Sequence, residues 1–133
     1  MSTPAPARPQ PDEDSAPFWA AAREHRIVLQ QCQQCGEIRF PPMPGCPNCG
    51  SPGFEQLESR AAGRIYSWIV VHRALAGLGP DDIPRTIATV ELDEGCRVIG
   101  RVTGGGQPAV DQPVRPVFID HDDWTEIAFE LED

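Results

Sequence analysis

Lysine is absent from this 133-residue chain, so positive charge rests on eleven arginines alone, against twenty carboxylates and a net charge of −9. A chain so acidic repels a phosphate backbone overall. The stretch from Cys32 to Cys49 carries only Arg39 as a fixed positive charge, where a nucleic-acid-reading ribbon needs several. No run of eighteen apolar residues is present, which excludes a membrane-spanning helix. The first fifteen residues, MSTPAPARPQPDEDS, have no apolar core that could serve as a signal sequence, and a cytoplasmic chain is expected. Beyond Gly63 no segment has the length and period of a helix.

Cysteine is scarce but ordered. Four of the five cysteines stand in two C-x2-C pairs, Cys32 with Cys35 and Cys46 with Cys49, in the turns CQQCG and CPNCG. Two such knuckles offer four thiolates to one tetrahedral ion. Zinc is the expected ion, although sulfur ligands also suit iron in a rubredoxin-like site. Four thiolates leave no open position for water or substrate, so the ion is expected to be structural. Disulfides would instead require an exported chain. Cys96 follows Glu94-Gly95 at the start of an apolar strand and reads as a buried small hydrophobe.

Along the chain, residues 1–16 read as a flexible Pro/Ala-rich arm. Residues 17–31 read as a short helix, capped by Asp14 or Ser15 with Pro17 in its first turn, and a lead-in strand from Ile27. Residues 32–56 form the ribbon. From 57 to 133 the pattern has period two, with strands expected at Ile65 to Arg73, Arg85 to Leu92, Arg97 to Thr103, Val114 to Asp120 and Thr125 to Leu131. Five short antiparallel strands at this size predict a five-stranded OB-like Greek-key barrel, with a small open sandwich as the alternative. The fold class is thus mainly β, with an N-terminal helix and zinc ribbon ahead of the barrel.

The segments CQQCGEIRFPP at Cys32 to Pro42, CPNCGS at Cys46 to Ser51, GRIYSWIVVHR at Gly63 to Arg73 and VELDEGCRV at Val90 to Val98 appear in that order, behind an aromatic-rich helix at Phe18-Trp19. Over about Pro17 to Leu131 the chain resembles the acyl-CoA-associated zinc-ribbon and OB-fold family, the domain of unknown function 35. The resemblance implies a rubredoxin-like ribbon followed by an OB-fold domain. It also implies a role as a small accessory partner of a thiolase-superfamily aldolase, thiolase or acyltransferase, in steroid side-chain or other lipid degradation, or as a module working with hot-dog-fold acyl-CoA hydratases. It implies ligand status for Cys32, Cys35, Cys46 and Cys49 and helical docking for Phe18 and Trp19, and it supplies no catalytic residue. Two copies flanking a dimeric thiolase-like enzyme in a heterotetramer is the assembly it leads one to expect. The sequence departs from the family pattern at Cys96 and in its C-terminal end, where seven carboxylates lie between Asp120 and Asp133. With no hydratase fused to this chain, hydratase chemistry is expected in a separate protein.

Candidate sites follow from the residues. The loop ALAGLGPDDIP, Ala74 to Pro84, exposes Leu75 and Leu78 among glycines and prolines and, with Phe18 and Trp19, is a candidate partner contact. Arg64, Arg73 and Arg85 are candidates for gripping CoA phosphates. No catalytic constellation is legible. His72 and Cys96 form the one conceivable base and nucleophile pair, and a hydrogen-bonding surface histidine is the plainer reading. Asp120, Asp122 and Asp123 read as a solvated turn rather than a cation loop. A free-standing nucleic-acid-binding protein is the alternative from another class, favoured only by Tyr66, Trp68 and His72 on the first barrel strand.

Overall fold

The computed structural model describes residues 8–74 and 78–133. Among the described residues one α-helix, α1 (Ala16–Arg23), precedes eight strands: β1 (Val28–Cys32), β2 (Ile38–Arg39), β3 (Phe54–Glu58), β4 (Gly63–Val71), β5 (Arg85–Leu92), β6 (Arg97–Thr103), β7 (Pro113–Asp120) and β8 (Thr125–Leu131), with a 3-10 turn at Pro80–Asp82 between β4 and β5.

The helix is bounded by local chemistry at both ends. Ahead of it, the Ser15 N–H donates to Asp12 Oδ1 at 2.8 Å while the Asp12 N–H reaches Ser15 Oγ at 3.0 Å, a reciprocal turn that sets the chain for Pro17 in the first helical turn. At the far end His25 takes φ +62°, and the N–H groups of His25 and Arg26 close on the carbonyls of Ala22 and Ala21. That is the Schellman arrangement with histidine where glycine is usual.

β1 is the middle of a three-stranded sheet in the order β2-β1-β3. It pairs along its whole length with β3, from Val28↔Glu58 to Cys32↔Phe54, and for two residues with β2. β3 was not legible as a strand, because FEQLE lacks period-two alternation and takes its extended form from pairing with β1.

The second sheet corrects the expected barrel. Its strands follow the ring order β4-β5-β6-β8-β7, but they do not form five antiparallel strands laced all the way round. The β4–β5, β5–β6 and β7–β8 seams are long and antiparallel. The β6–β8 seam is parallel and has only the pairs Val102↔Phe129 and Thr103↔Glu130, and the β4–β7 seam only Gly63↔Val114 and Arg64↔Pro113. The ring closes only through these two short seams, one of them parallel, so the wholly antiparallel barrel that was expected is not what forms. Proline explains one short seam, since Pro113 has no N–H to give a ladder. The chain before it takes over, with Ile65 N–H on Gln112 O and Asp111 N–H on Ile65 O, both at 2.9 Å, while a bulge between Ile65 and Ser67 redirects β4.

The core runs without a break from helix to sheet: Phe18, Ile27, Leu29, Ile65, Val90, Leu92, Val98, Val114 and Phe129 are all buried. An aromatic row joins the parts. Phe40 from the ribbon meets Phe18 at 5.2 Å, Phe18 meets Trp19 edge-on at 5.1 Å, and Trp19 meets Trp124 of the β7–β8 turn at 6.0 Å.

Candidate metal centre and its surroundings

Two matching knuckles build the centre. Cys32 closes β1, and Gly36 at φ +81° turns its N–H back to Cys32 O at 3.0 Å; Gly50 at φ +82° does the same to Cys46 O at 2.8 Å. Only glycine takes that backbone region without strain, which is why each pair is followed by one. The four Sγ atoms all lie within 4.8 Å of one another, and the Cys32–Cys49 and Cys35–Cys46 pairs stand at 3.6 Å. Sulfurs held by one zinc through bonds of about 2.3 Å stand roughly 3.8 Å apart in a tetrahedron, so the spacing fits a zinc site of four cysteine ligands and not disulfides. Cys32 and Cys46 are buried and Cys35 and Cys49 exposed.

The knuckle backbone prepares two of the sulfurs for ionisation. The Cys35 N–H, then that of Gln34, draws the Cys32 thiol down to about 6. The Cys49 and Asn48 N–H groups likewise hold Cys46 below the ordinary thiol range. Cys49 feels a favourable N–H from Ser51, yet desolvation and the sulfurs of Cys32, Cys35 and Cys46 push it up to about 12. Four sulfurs this close cannot all carry charge without a cation among them. The donor set can hold a structural zinc ion, with no position left for substrate.

Beside the knuckles, Arg39 is only 4% exposed. Its Nε donates to Gln30 Oε1 at 2.7 Å and its Nη2 to Met43 O at 3.3 Å, and the guanidinium lies 5.3 Å from the Phe54 ring centroid. Its Nη1 is buried with no hydrogen-bond partner. The single positive charge between the cysteines is therefore withdrawn from solvent and offers nothing to a nucleic acid.

The remaining candidates scatter. Phe18 is buried inside the chain and Trp19 half-buried between Phe18 and Trp124. Leu75 lies outside the described residues, and Leu78 is half-buried. Arg64 stands opposite Glu91 at one end of β4, whereas Arg85 faces Val71 at the other, close to Arg73. Seven residues of strand separate the two ends, about 23 Å at the usual rise, so the three arginines do not form one anion grip. Arg85 lies 3.6 Å from Asp82. The same geometry separates His72, just past β4 at the Arg85 end, from Cys96 at the Leu92 end. Desolvation pushes the Cys96 thiol up to about 11, as befits a core residue rather than a nucleophile.

Sequence reasoning missed the latch at the β7–β8 turn. Arg23 on α1 donates to the carbonyls of His121, Asp122 and Trp124 at 2.9 to 3.0 Å. His25 Nε2 sits 3.0 Å from both oxygens of Asp120, whose Oδ1 also accepts from Thr125 Oγ1 at 2.6 Å. The acidic turn is thus tied to the helix through a guanidinium and an imidazole. An exposed arginine and histidine at a helix end carry no sequence signal for partners about a hundred positions away.

Comparison with known proteins gives a consistent result. Residues 19–55 match the family described as ChsH2, rubredoxin-like zinc ribbon domain, and residues 58–118 the one described as ChsH2, C-terminal OB-fold domain. A chain of the Ltp2-ChsH2(DUF35) aldolase superposes with a TM-score of 0.83 at 32% identity, covering 93% of this chain and 98% of that one. The 3-oxo-4,17-pregnadiene-20-carboxyl-CoA hydratase alpha subunit of Mycobacterium tuberculosis is 34% identical over 92% of this chain and 39% of its own length. A DUF35 domain-containing scaffold protein of Methanocaldococcus jannaschii is 35% identical over 63% of this chain and 60% of its own. The chain spans less than two-fifths of the hydratase subunits it matches.

Proposed function

Since the chain belongs to the ChsH2 (DUF35) family of zinc-ribbon and OB-fold proteins, we propose that it is a non-catalytic accessory subunit of a thiolase-superfamily acyl-CoA enzyme. The observation that carries this reading is the likeness, over nearly the whole of both chains, to a chain of the Ltp2-ChsH2(DUF35) aldolase. His72 and Cys96 stand at opposite ends of the sheet, and on this reading the reacting groups belong to the partner. The subunit completes and stabilises the larger enzyme, an aldolase, thiolase or acyltransferase of steroid side-chain or other lipid degradation, and helps to hold the acyl-CoA. Arg73 and Arg85 at one end of β4, or Arg64 at the other, would meet the CoA phosphates. Zinc on Cys32, Cys35, Cys46 and Cys49 holds the ribbon, and thiols kept reduced for a metal suit the cytoplasm.

Expression of this chain with its genomic neighbours tests the reading. The expected product is a stable heterotetramer of two copies each of this chain and a thiolase-superfamily chain, measured by light scattering after affinity capture. Elution as a free monomer with no thiolase-like chain retained would refute it. The likeness to hydratase alpha subunits supports a second reading, partnership with a separate hot-dog-fold acyl-CoA hydratase. Retention of such a hydratase in place of the thiolase-like chain would decide for it.

A further inference from the structure

Where Phe18 and Trp19 turn inward, other apolar residues are left in water together. Ile69 is 61%, Ile99 71% and Tyr66 50% exposed. The strand registers put them on one surface. Ala88, Val90 and Val98 are buried, so their neighbours in sequence point outward. Ile69 pairs with Ile87, and Ser67 pairs with Thr89, which pairs in turn with Ile99. Ile69, Ile87 and Ile99 therefore lie on the outer face of three adjacent strands, and no helix covers it among the described residues.

This face also reverses the charge of the molecule. Arg64, Arg85, Arg97 and Arg101 point outward from β4, β5 and β6 with Glu91 as the one carboxylate, in a chain of net charge −9. Among the described residues Glu91 holds Arg97 at 3.3 Å, and Asp82 and Glu126, from neighbouring elements, reach Arg85 and Arg101, which leaves the face one positive charge in excess. Arg97 in addition lies 3.6 Å over the Tyr66 ring. An aliphatic centre within a ring of arginines is the pattern of a protein contact with a hydrophobic core and a polar rim.

We propose that the outer face of β4, β5 and β6, centred on Ile69, Ile87 and Ile99, is where a different protein chain docks, presenting an apolar centre ringed by carboxylates. The proposal rests on the accessory-subunit reading and identifies that chain as the thiolase-superfamily partner. A second copy of this chain is disfavoured twice, because it brings arginines onto arginines and −9 onto −9. A nucleic acid is disfavoured because isoleucines give no stacking platform and the one tyrosine is covered by Arg97.

The test titrates the thiolase-superfamily chain that co-purifies with the wild type against Ile69→Asp, Ile99→Asp and Ile99→Ala. Both aspartates are expected to weaken Kd by about tenfold or more and the alanine by less, as for truncation at an interface centre. Gln56→Asp, on exposed β3 of the ribbon, should stay within about twofold, as a site outside the contact should. Unchanged zinc content and circular dichroism establish that the variants fold. Aspartate variants that bind as tightly as the wild type overturn the proposal. So does a dimer of the isolated chain that Ile99→Asp dissociates, or a salt-sensitive oligonucleotide complex that the same variant abolishes. A wild type that retains no thiolase-superfamily chain at all is instead the failure of the accessory-subunit reading, and the proposal falls with it.

Discussion

Cys32 and Cys46 are prepared for a metal by the backbone that follows them, while Cys35 and Cys49 complete the set from the exposed side. Replacing any one of the four by serine should release the ion and unfold the ribbon, because site free energies of about 10–16 kcal/mol exceed what so small a module gains from its core. Elemental analysis checks this: one zinc per chain in the wild type and little in the variant. One iron per chain would change the ion but not the ligands. Arg23 and Asp120 make a different kind of prediction. Arg23→Ala takes a donor from three exposed carbonyls of the turn, of which Trp124 O keeps the His121 N–H, and should cost about 1 kcal/mol, read as a lower urea midpoint. The Thr125 hydroxyl, and then His25, hold the Asp120 carboxyl below its usual range. A carboxyl depressed in the folded state stabilises fully above its unfolded value of about 3.9, and that contribution is lost as the pH falls through the folded value. Asp120→Asn should therefore lower stability at neutral pH and flatten the acid limb of the urea midpoint measured below about pH 4.

Between elements, the shape of the OB-fold domain depends on how close β6 and β8 come where they do not pair. A Cβ on Gly100 would meet Ile127 O at 2.7 Å and the Phe129 ring at 2.9 Å. Gly100→Ala should thus push β8 away and cost about 1–3 kcal/mol, the usual range for overpacking; a fall in melting temperature, with zinc content unchanged, is the measurement. Most of these strands were legible. RTIATVEL, RVIGRVT and TEIAFEL alternate cleanly, and β5, β6 and β8 begin and end where the pattern does. What period two could not reveal is how each seam ends. The β4–β7 ladder stops because Pro113 lacks an N–H and the 111–112 loop takes its place, and β6 meets β8 in parallel for two residues only. Both facts belong to the packing of distant segments, as does β3, whose partner lies over twenty residues earlier. The ligand set was legible for the opposite reason, since two C-x2-C turns, each closed by a glycine, are local and self-contained. The exposed face of β4 to β6 lay in between: its isoleucines were visible, but which side of the sheet stays uncovered was decided by where α1 packs.

At the scale of the whole molecule, ribbon and OB-fold domain are held together through α1 rather than by a shared sheet. Phe40 leaves the ribbon to touch Phe18, Phe18 touches Trp19, and Trp19 reaches Trp124, while Arg26 pairs with Glu58 of β3 at 2.9 Å. The surface ion pair contributes little on its own, so the aromatic row, together with Ile27 and Leu29 in the shared core, carries the connection. Removing the metal should unravel the knuckles and release Phe40, after which α1 keeps its hold on the β7–β8 turn and its Phe18 in the core. The OB-fold domain supplies most of the shared core, in Ile65, Val90, Leu92 and Phe129, and Leu29 of β1 packs into that same core beside Phe18 and Ile27. Hydrogen exchange after chelation should then show early loss of protection in β1 to β3, a partial loss in α1, and little change in β5 and β6. Trp19→Ala breaks the row from the other side and should increase exchange in α1 without releasing zinc. Loss of protection in all strands at the same rate on chelation would mean that the two parts fold as one unit and that the aromatic row is not the link between them.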